Sequence, residues 1–341
     1  MSPNAPSRAQ LLCVLALTAL ALPALAACGE DGGPGSSNGA VASVAAPPVS
    51  DFPEAPGDLG EVLAFGEQTD DTVVLPGTQA FDVGANRASF GVFNVDRSQD
   101  TDAKIAIYAQ SSKGGEVLGP FPTSIESLET PAAFVAQSTS TDPDSARAIY
   151  VTDIDFPDQG TYDLVAVIDD GDAVKTTFIP SVPVALPAYD EVPEVGEMAP
   201  PTHTDTSNDV SNIAEIDTRV PADTMHDADL ADVIGKEPVV LLFATPALCM
   251  TQVCGPVVDI AEEVKSERPD DAAYIHQEVY VDNNPEKGIR QPLKDYDLKT
   301  EPWLFVLDSD GRIVERIEGA FSKAELEAAI DKAQPTASPS R

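Results

Sequence analysis

Basic residues, cysteines, histidines and long apolar runs are all scarce in this chain. Its 341 residues include 20 Lys and Arg against 57 Asp and Glu, a formal net charge of −37. That balance repels a phosphate backbone and no Lys/Arg cluster offsets it, so no nucleic-acid partner is expected. Four cysteines are too few for a disulfide scaffold, and each has to be considered separately. His203, His226 and His276 are scattered and follow no zinc spacing, so neither a metal nor a cofactor is expected. His276 alternates within a strand-like stretch and reads as a packed or surface side chain. Asp308-Ser309-Asp310-Gly311 lacks the further ligands of a calcium loop and reads as a hairpin turn. What the chain does have is apolar material: 43% hydrophobic against 23% charged residues is enough for packed cores, with a prior of about two domains.

The N-terminus reads as an export signal. Arg8 and the terminal amine precede an apolar run of 12 residues, Leu11 to Leu22. That is a signal-peptide core, too short for a membrane span of about 20 residues, and no later segment approaches one. Leu25-Ala26-Ala27-Cys28-Gly29 then resembles the lipobox of bacterial lipoproteins. The resemblance implies cleavage of residues 1–27, lipidation of Cys28 (diacyl, palmitate-type chains) and an extracytoplasmic protein anchored to the bacterial membrane. Cys13 leaves with the signal, so the soluble part keeps only Cys249 and Cys254, in a compartment that permits disulfides. Residues 28–50, rich in Gly, Ser, Ala and Pro, read as a flexible tether spanning roughly 25 Å.

Residues 51–190 are expected to be all-β. Short β-branched or alternating runs (72–75, 88–94, 103–109, 147–152, 160–168 and 173–179) are separated by turn residues. Asp158-Gln159-Gly160-Thr161-Tyr162 resembles the tyrosine corner of immunoglobulin-like sandwiches. Leu164 stands where that family places a cysteine, so no core disulfide is implied. The expected role is that of a spacer or docking module. Residues 191–225 form a Pro- and acid-rich linker and lead-in segment. The acidity is even, with 6 basic and 24 acidic residues in 51–190 and 13 and 31 in 191–341, which reads as solubility or salt adaptation.

Residues 226–332 are expected to be α/β. A short helix stops at Gly235; Pro238–Ala244 is a continuous apolar run, as in a strand buried on both faces. A helix from about Gln252 to Glu267, a strand from Tyr274 to Val281, a helix from Pro285 to Asp295 and a hairpin of Trp303–Leu307 with Ile313–Ile317 follow. The last helix opens on the capping box Ser322-Lys323-Ala324-Glu325. Residues 333–341 read as a disordered tail. The order β-α-β-α-β-β-α, the dithiol at a strand-to-helix junction and Val195-Gly196-Glu197-Met198-Ala199-Pro200 resemble the thioredoxin superfamily.

Cys249 and Cys254 carry the chemistry. A thiol at a helix N-terminus meets unpaired N–H groups and the positive end of the dipole. No Lys or Arg occurs between Val239 and Val264, so the activation is expected to be mild. The Cys-x-x-x-x-Cys spacing departs from the thioredoxin Cys-x-x-Cys. Residues five apart on an undistorted helix lie about 140° apart around the axis. Cys249 must therefore precede the helix, or the first turn must unwind when the bond forms. Cys249-x-x-Gln252-x-Cys254-Gly255 also resembles the peroxidatic and resolving pair of Q-type peroxiredoxins. Against that family, Pro246 replaces the Thr or Ser expected three residues before the first cysteine, and Glu301-Pro302 stands where an activating Arg belongs. The thioredoxin resemblance implies that Cys249 attacks, Cys254 resolves, and Pro302, as a cis-proline with neighbours Glu301 and Trp303, shapes a substrate groove. Thiol–disulfide exchange with extracytoplasmic protein thiols or disulfides, supported by an unidentified redox partner, is the expected function. A thiol peroxidase and a non-enzymatic docking protein with a structural disulfide stand as alternatives, and Sco-type copper delivery is disfavoured because it needs Cys-x-x-x-Cys and a distal His.

Cys28→Ser is expected to move the chain from the detergent phase to the aqueous phase in a detergent-partition assay of expressing bacteria. Unchanged partitioning would contradict lipidation.

Overall fold

The computed structural model describes residues 40–185 and 191–335. The signal segment, Cys28 and the last six residues lie outside the described residues. Residues 40–335 belong to one compact unit.

In chain order the strands are β1 (Glu67–Gln68), β2 (Thr72–Pro76), β3 (Gly84–Asn94), β4 (Lys104–Ser111), β5 (Leu118–Pro122), β6 (Ser124–Ser127), β7 (Ala148–Phe156), β8 (Gly160–Asp169), β9 (Val174–Val184), β10 (Val239–Phe243), β11 (Ala273–Gln277), β12 (Trp303–Leu307) and β13 (Ile313–Glu318). The α-helices are α1 (Leu59–Val62), α2 (Gln137–Ser140), α3 (Leu230–Val233), α4 (Cys254–Glu267), α5 (Gln291–Asp295) and α6 (Lys323–Ala333). Strand residues outnumber helical ones among the described residues.

Two sheets, β2-β3-β7-β6 and β1-β9-β8-β4-β5, face each other across Val74, Phe90, Ile105, Tyr150, Ile154 and Leu164. The second sheet is covered on its outer face too, by Phe52, Leu59 and Val62 over Tyr108 and Val165. Burial on both faces is why β4 reads as a nearly continuous apolar run. The Tyr162 hydroxyl donates to the Asp158 carbonyl at 3.0 Å, the bond its motif implies, and β8 and β9 pair antiparallel across Asp169–Val174. β5 and β6 escape sequence reading because Leu-Gly-Pro-Phe-Pro has turn composition; β5 is an edge strand, where proline is tolerated. The tether ends earlier than expected: Val44 exchanges two 2.8 Å backbone bonds with Ile125 of β6, and the Val41 N–H donates to Glu129.

The third sheet has the order β11-β10-β12-β13, with β10 parallel to β11 and antiparallel to β12. Alternation along β10 sends Val240 and Leu242 to one face, under α4 and α6. Val239, Leu241 and Phe243 go to the other, against Leu293 of α5 and Tyr296. The expected β-α-β-α-β-β-α order is present, with two adjustments. β11 ends at Gln277, and Gly288 at φ 79° divides the Pro285–Asp295 helix into a 3-10 turn and α5. The Ser322–Glu325 capping box forms as read.

The sandwich and the third sheet are joined by polar clamps. Glu318, 6% exposed, accepts from Gln79 N at 2.8 Å and Ala80 N at 2.6 Å. Its other oxygen accepts from the Thr300 hydroxyl at 2.5 Å. Arg87 pairs with Glu325 at 2.6 Å and donates to the Ala320 carbonyl. Gly319, at φ 81°, lies so close to the Gly77 carbonyl oxygen that a Cβ there would collide with it. On the far side Arg219, itself buried, donates to buried Asp259 of α4 at 2.9 Å.

Burial raises the Glu318 carboxyl above its ordinary range, outweighing its hydrogen bonds. The folded state therefore binds more protons than the unfolded state just above the usual Glu range, and stability falls as pH rises through that window. Glu318→Gln is expected to remove that slope in urea melts at graded pH while keeping the fold. Glu318→Ala, which strips the acceptor from two N–H groups and a hydroxyl, should cost about 2 kcal/mol or more.

Candidate active site

β10 ends at Phe243 and α4 begins at Cys254, with an irregular loop between them. Pro246 biases Thr245 away from helical backbone. Gln252, at φ 60°, turns the chain into α4 while its carbonyl accepts from Ala146 N at 3.1 Å. Cys249 and Cys254 are disulfide-bonded with Cα atoms 6.0 Å apart. The five-residue spacing is met because Cys249 lies wholly before the helix and Cys254 is its first residue. The two sulfurs are unequal. Cys254 is fully buried within the cluster of Val257, Val258, Leu128 and Ile149, whereas Cys249 is half-buried beside Met250, which is 90% exposed. The Thr251 hydroxyl lies 3.2 Å from Cys249 Sγ.

α4 starts without a side-chain cap: Val253 stands at the N-cap position and Pro256, its third residue, has no N–H. The N–H groups of Cys254 and Gly255 are thus uncapped donors at the positive end of a 14-residue helix. A thiolate released on Cys254 would form at that end.

The loop is held from beneath. Ala247 N donates to Thr218 Oγ1 at 3.1 Å, and Thr218 donates from both its N–H and its hydroxyl to buried Glu278. Above it, a cleft of about 600 Å³ runs between Met250–Val253, the Lys299–Glu301 turn and the face of β2 and β3. Val73 and Leu75, 39% and 44% exposed, and Phe93 supply apolar wall. Two cations absent from the local sequence also line it: Lys299, paired with Asp297 at 2.5 Å, and Arg97, paired with Asp144.

Of the residues expected at the groove, Glu301 lines the cleft. Burial raises its carboxyl, against a long 3.5 Å hydrogen bond from Tyr280. The Glu301–Pro302 bond is cis, and Pro302 is buried beneath the turn. Trp303 departs from expectation. Strand alternation carries it to the face opposite α4, where it is 1% exposed, stacks on Phe305 and donates to Thr300 at 2.9 Å. It supports the turn from inside and does not line the cleft.

Two histidines set aside in the sequence meet in space. His226 and His276 lie with ring centroids 5.2 Å apart, beside buried Asp217 and Asp223. Burial alone would depress His276, but the Asp223 charge and hydrogen bond at 2.7 Å raise it to about 10. No spacing signal could have found this grouping, since His276 comes from β11 and the others from the irregular lead-in to α3. His203 lies on the surface with Asp229, whose hydrogen bond and charge raise its pKa.

No family model matches the chain, and no curated protein does. Among solved structures it is similar to a thioredoxin-like superfamily protein, SPOA0173, at 15% identity over 42% of this chain and 100% of that one, with a TM-score of 0.28. It is also similar to the CARDB domain of PF1109 from Pyrococcus furiosus, at 15% identity over 33% of this chain and 94% of that one, with a TM-score of 0.17.

After reduction, brief iodoacetamide treatment of native protein is expected to alkylate Cys249 well before Cys254, read by peptide mass spectrometry. Equal rates would contradict the unequal burial.

Proposed function

We propose that the chain exchanges disulfides with extracytoplasmic polypeptides, as a lipid-anchored thioredoxin-like oxidoreductase. The observation that carries this reading is the asymmetric disulfide at the uncapped start of α4: one sulfur reachable, the other sealed in the core. A partner thiolate attacks Cys249 Sγ, the Cys249–Cys254 bond breaks, and Cys254 leaves as a thiolate at the first residue of α4. A second partner thiolate then attacks the partner's own sulfur in the mixed disulfide and releases Cys249. The partner loses two electrons and two protons and gains a disulfide; the chain gains two thiols. Run in reverse, with Cys249 as nucleophile and Cys254 resolving, the same steps reduce a partner disulfide.

The substrate class follows from the wall. Val73, Leu75 and Phe93 face the loop from an edge strand and its neighbour, so the cleft suits a polypeptide with apolar side chains beside its cysteine. The sandwich, whose immunoglobulin-like reading rests on the Tyr162 corner, thereby serves as half of the substrate site. Cys28 would hold this site near the membrane.

Cys254→Ser is expected to accumulate mixed disulfides with exported proteins, and Cys249→Ser none, on non-reducing gels with mass spectrometry. Leu75→Glu should lower the trapped yield several-fold. Peroxide consumption that needs Cys249 and no protein partner would replace this reading with a peroxidase. A native disulfide resistant to dithiothreitol would make the bond structural.

A further inference from the structure

Behind the dithiol loop lies a cluster that the exchange chemistry does not use. Asp217, Asp223, His226 and His276 are 2%, 6%, 2% and 0% exposed, and one ligand atom from each falls within a sphere of mutual distances no larger than 4.8 Å. His226 Nε2 stands 3.5 Å from Asp217 Oδ2 and 3.4 Å from Asp223 Oδ1. Neither contact has the geometry of a hydrogen bond, and both nitrogens of this sealed imidazole are without a hydrogen-bond partner. A buried polar side chain aimed at two carboxylates and bonded to neither is costly unless something lies between them. A proton shared by His276 and Asp223 accounts for their 2.7 Å contact but leaves His226 unserved.

A small dication accounts for all four groups. Ligand bonds of 2.0–2.2 Å in a tetrahedron place neighbouring donors about 3.4 Å apart, the separation found between His226 and the two carboxylates. The surroundings already orient the donors. His276 Nε2 lies 3.2 Å from the Ala244 carbonyl, which directs Nδ1 inward when Nε2 carries the proton. Arg219 N and Asp223 N donate to Asp217 at 2.7 and 2.8 Å, and Met225 N to Asp223 at 2.8 Å. Such outer hydrogen bonds are what fix metal-binding imidazoles and carboxylates. Two carboxylates also supply the charge a dication needs.

We propose that Asp217, Asp223, His226 and His276 form a buried two-nitrogen, two-oxygen site for a divalent cation of the zinc class. Four protein donors make it a structural site with no open position. Its place gives it a purpose. The cation would tie the 217–226 segment to β11, and that segment carries Thr218, the acceptor beneath Ala247 in the dithiol loop.

The test uses the Cys249→Ser/Cys254→Ser chain, so that these two thiolates cannot bind metal and the result does not depend on the exchange reading. After chelation, reloading with zinc and dialysis, one equivalent of zinc per chain by elemental analysis is expected. Cobalt(II) should give intense tetrahedral ligand-field bands that zinc displaces. His226→Gln and Asp217→Asn in the same background should weaken zinc binding by at least ~100-fold, with circular dichroism confirming the fold. Should either variant fail to fold, the cobalt spectrum and stoichiometry of the parent chain decide. Absence of a stoichiometric, tetrahedral cobalt signal overturns the proposal, as does unchanged zinc affinity in two folded variants.

Discussion

Glu318 accepts two backbone N–H groups from the β2–β3 connection with one oxygen and the Thr300 hydroxyl with the other. Those three bonds hold the sandwich against the turn that leads into β12, and Gln79, Thr300 and Glu318 line the cleft there. The Gly319 backbone presses on Gly77, so the clamp is also a close approach with no side chain between the layers. Thr300 in turn accepts from Trp303, which ties the cleft's edge to the core of the third sheet. A carboxylate this buried is costly in isolation; here its lone pairs meet donors from both halves, and the desolvation is offset by fixing two structures in register.

A second polar layer supports the other side of the loop. Arg219 and Asp259 join the 217–226 segment to α4, while Thr218 and Glu278 carry the loop's backbone. The dithiol loop has few apolar anchors of its own beyond Val253. It is positioned by buried charges whose partners come from segments far apart in the chain. Cys254 is thus sealed at the head of α4, while Cys249 stays half-buried beside exposed Met250, the division on which the proposed exchange rests.

The legible elements were those whose periodicity or local chemistry is self-contained. β10 and β12 read directly because burial on both faces leaves unbroken apolar runs, and α6 because its capping box forms within four residues. Disulfide reach left Cys249 either before α4 or in an unwound first turn; the structure has the first, with α4 starting at Cys254, two residues beyond the expected Gln252. β5 was hidden by turn composition at an edge, and the break at Gly288 by a glycine whose left-handed backbone ends a helix the composition would continue. Trp303 was misplaced for a simpler reason: adjacency to Pro302 says nothing about which face of the strand its side chain takes.

The chain by itself pointed to the candidate dithiol. Cys249 and Cys254, the two cysteines among the described residues, stand at a strand-to-helix junction, and a helix start supplies the local backbone donors on which thiol reactivity depends. Tertiary structure decided what surrounds that dithiol. The apolar wall comes from β2 and β3, the clamp from Glu318, and the aspartate–histidine cluster from segments some 50 residues apart. Such contacts are set by which buried groups must find partners once the sheets close, and no spacing along the chain encodes them.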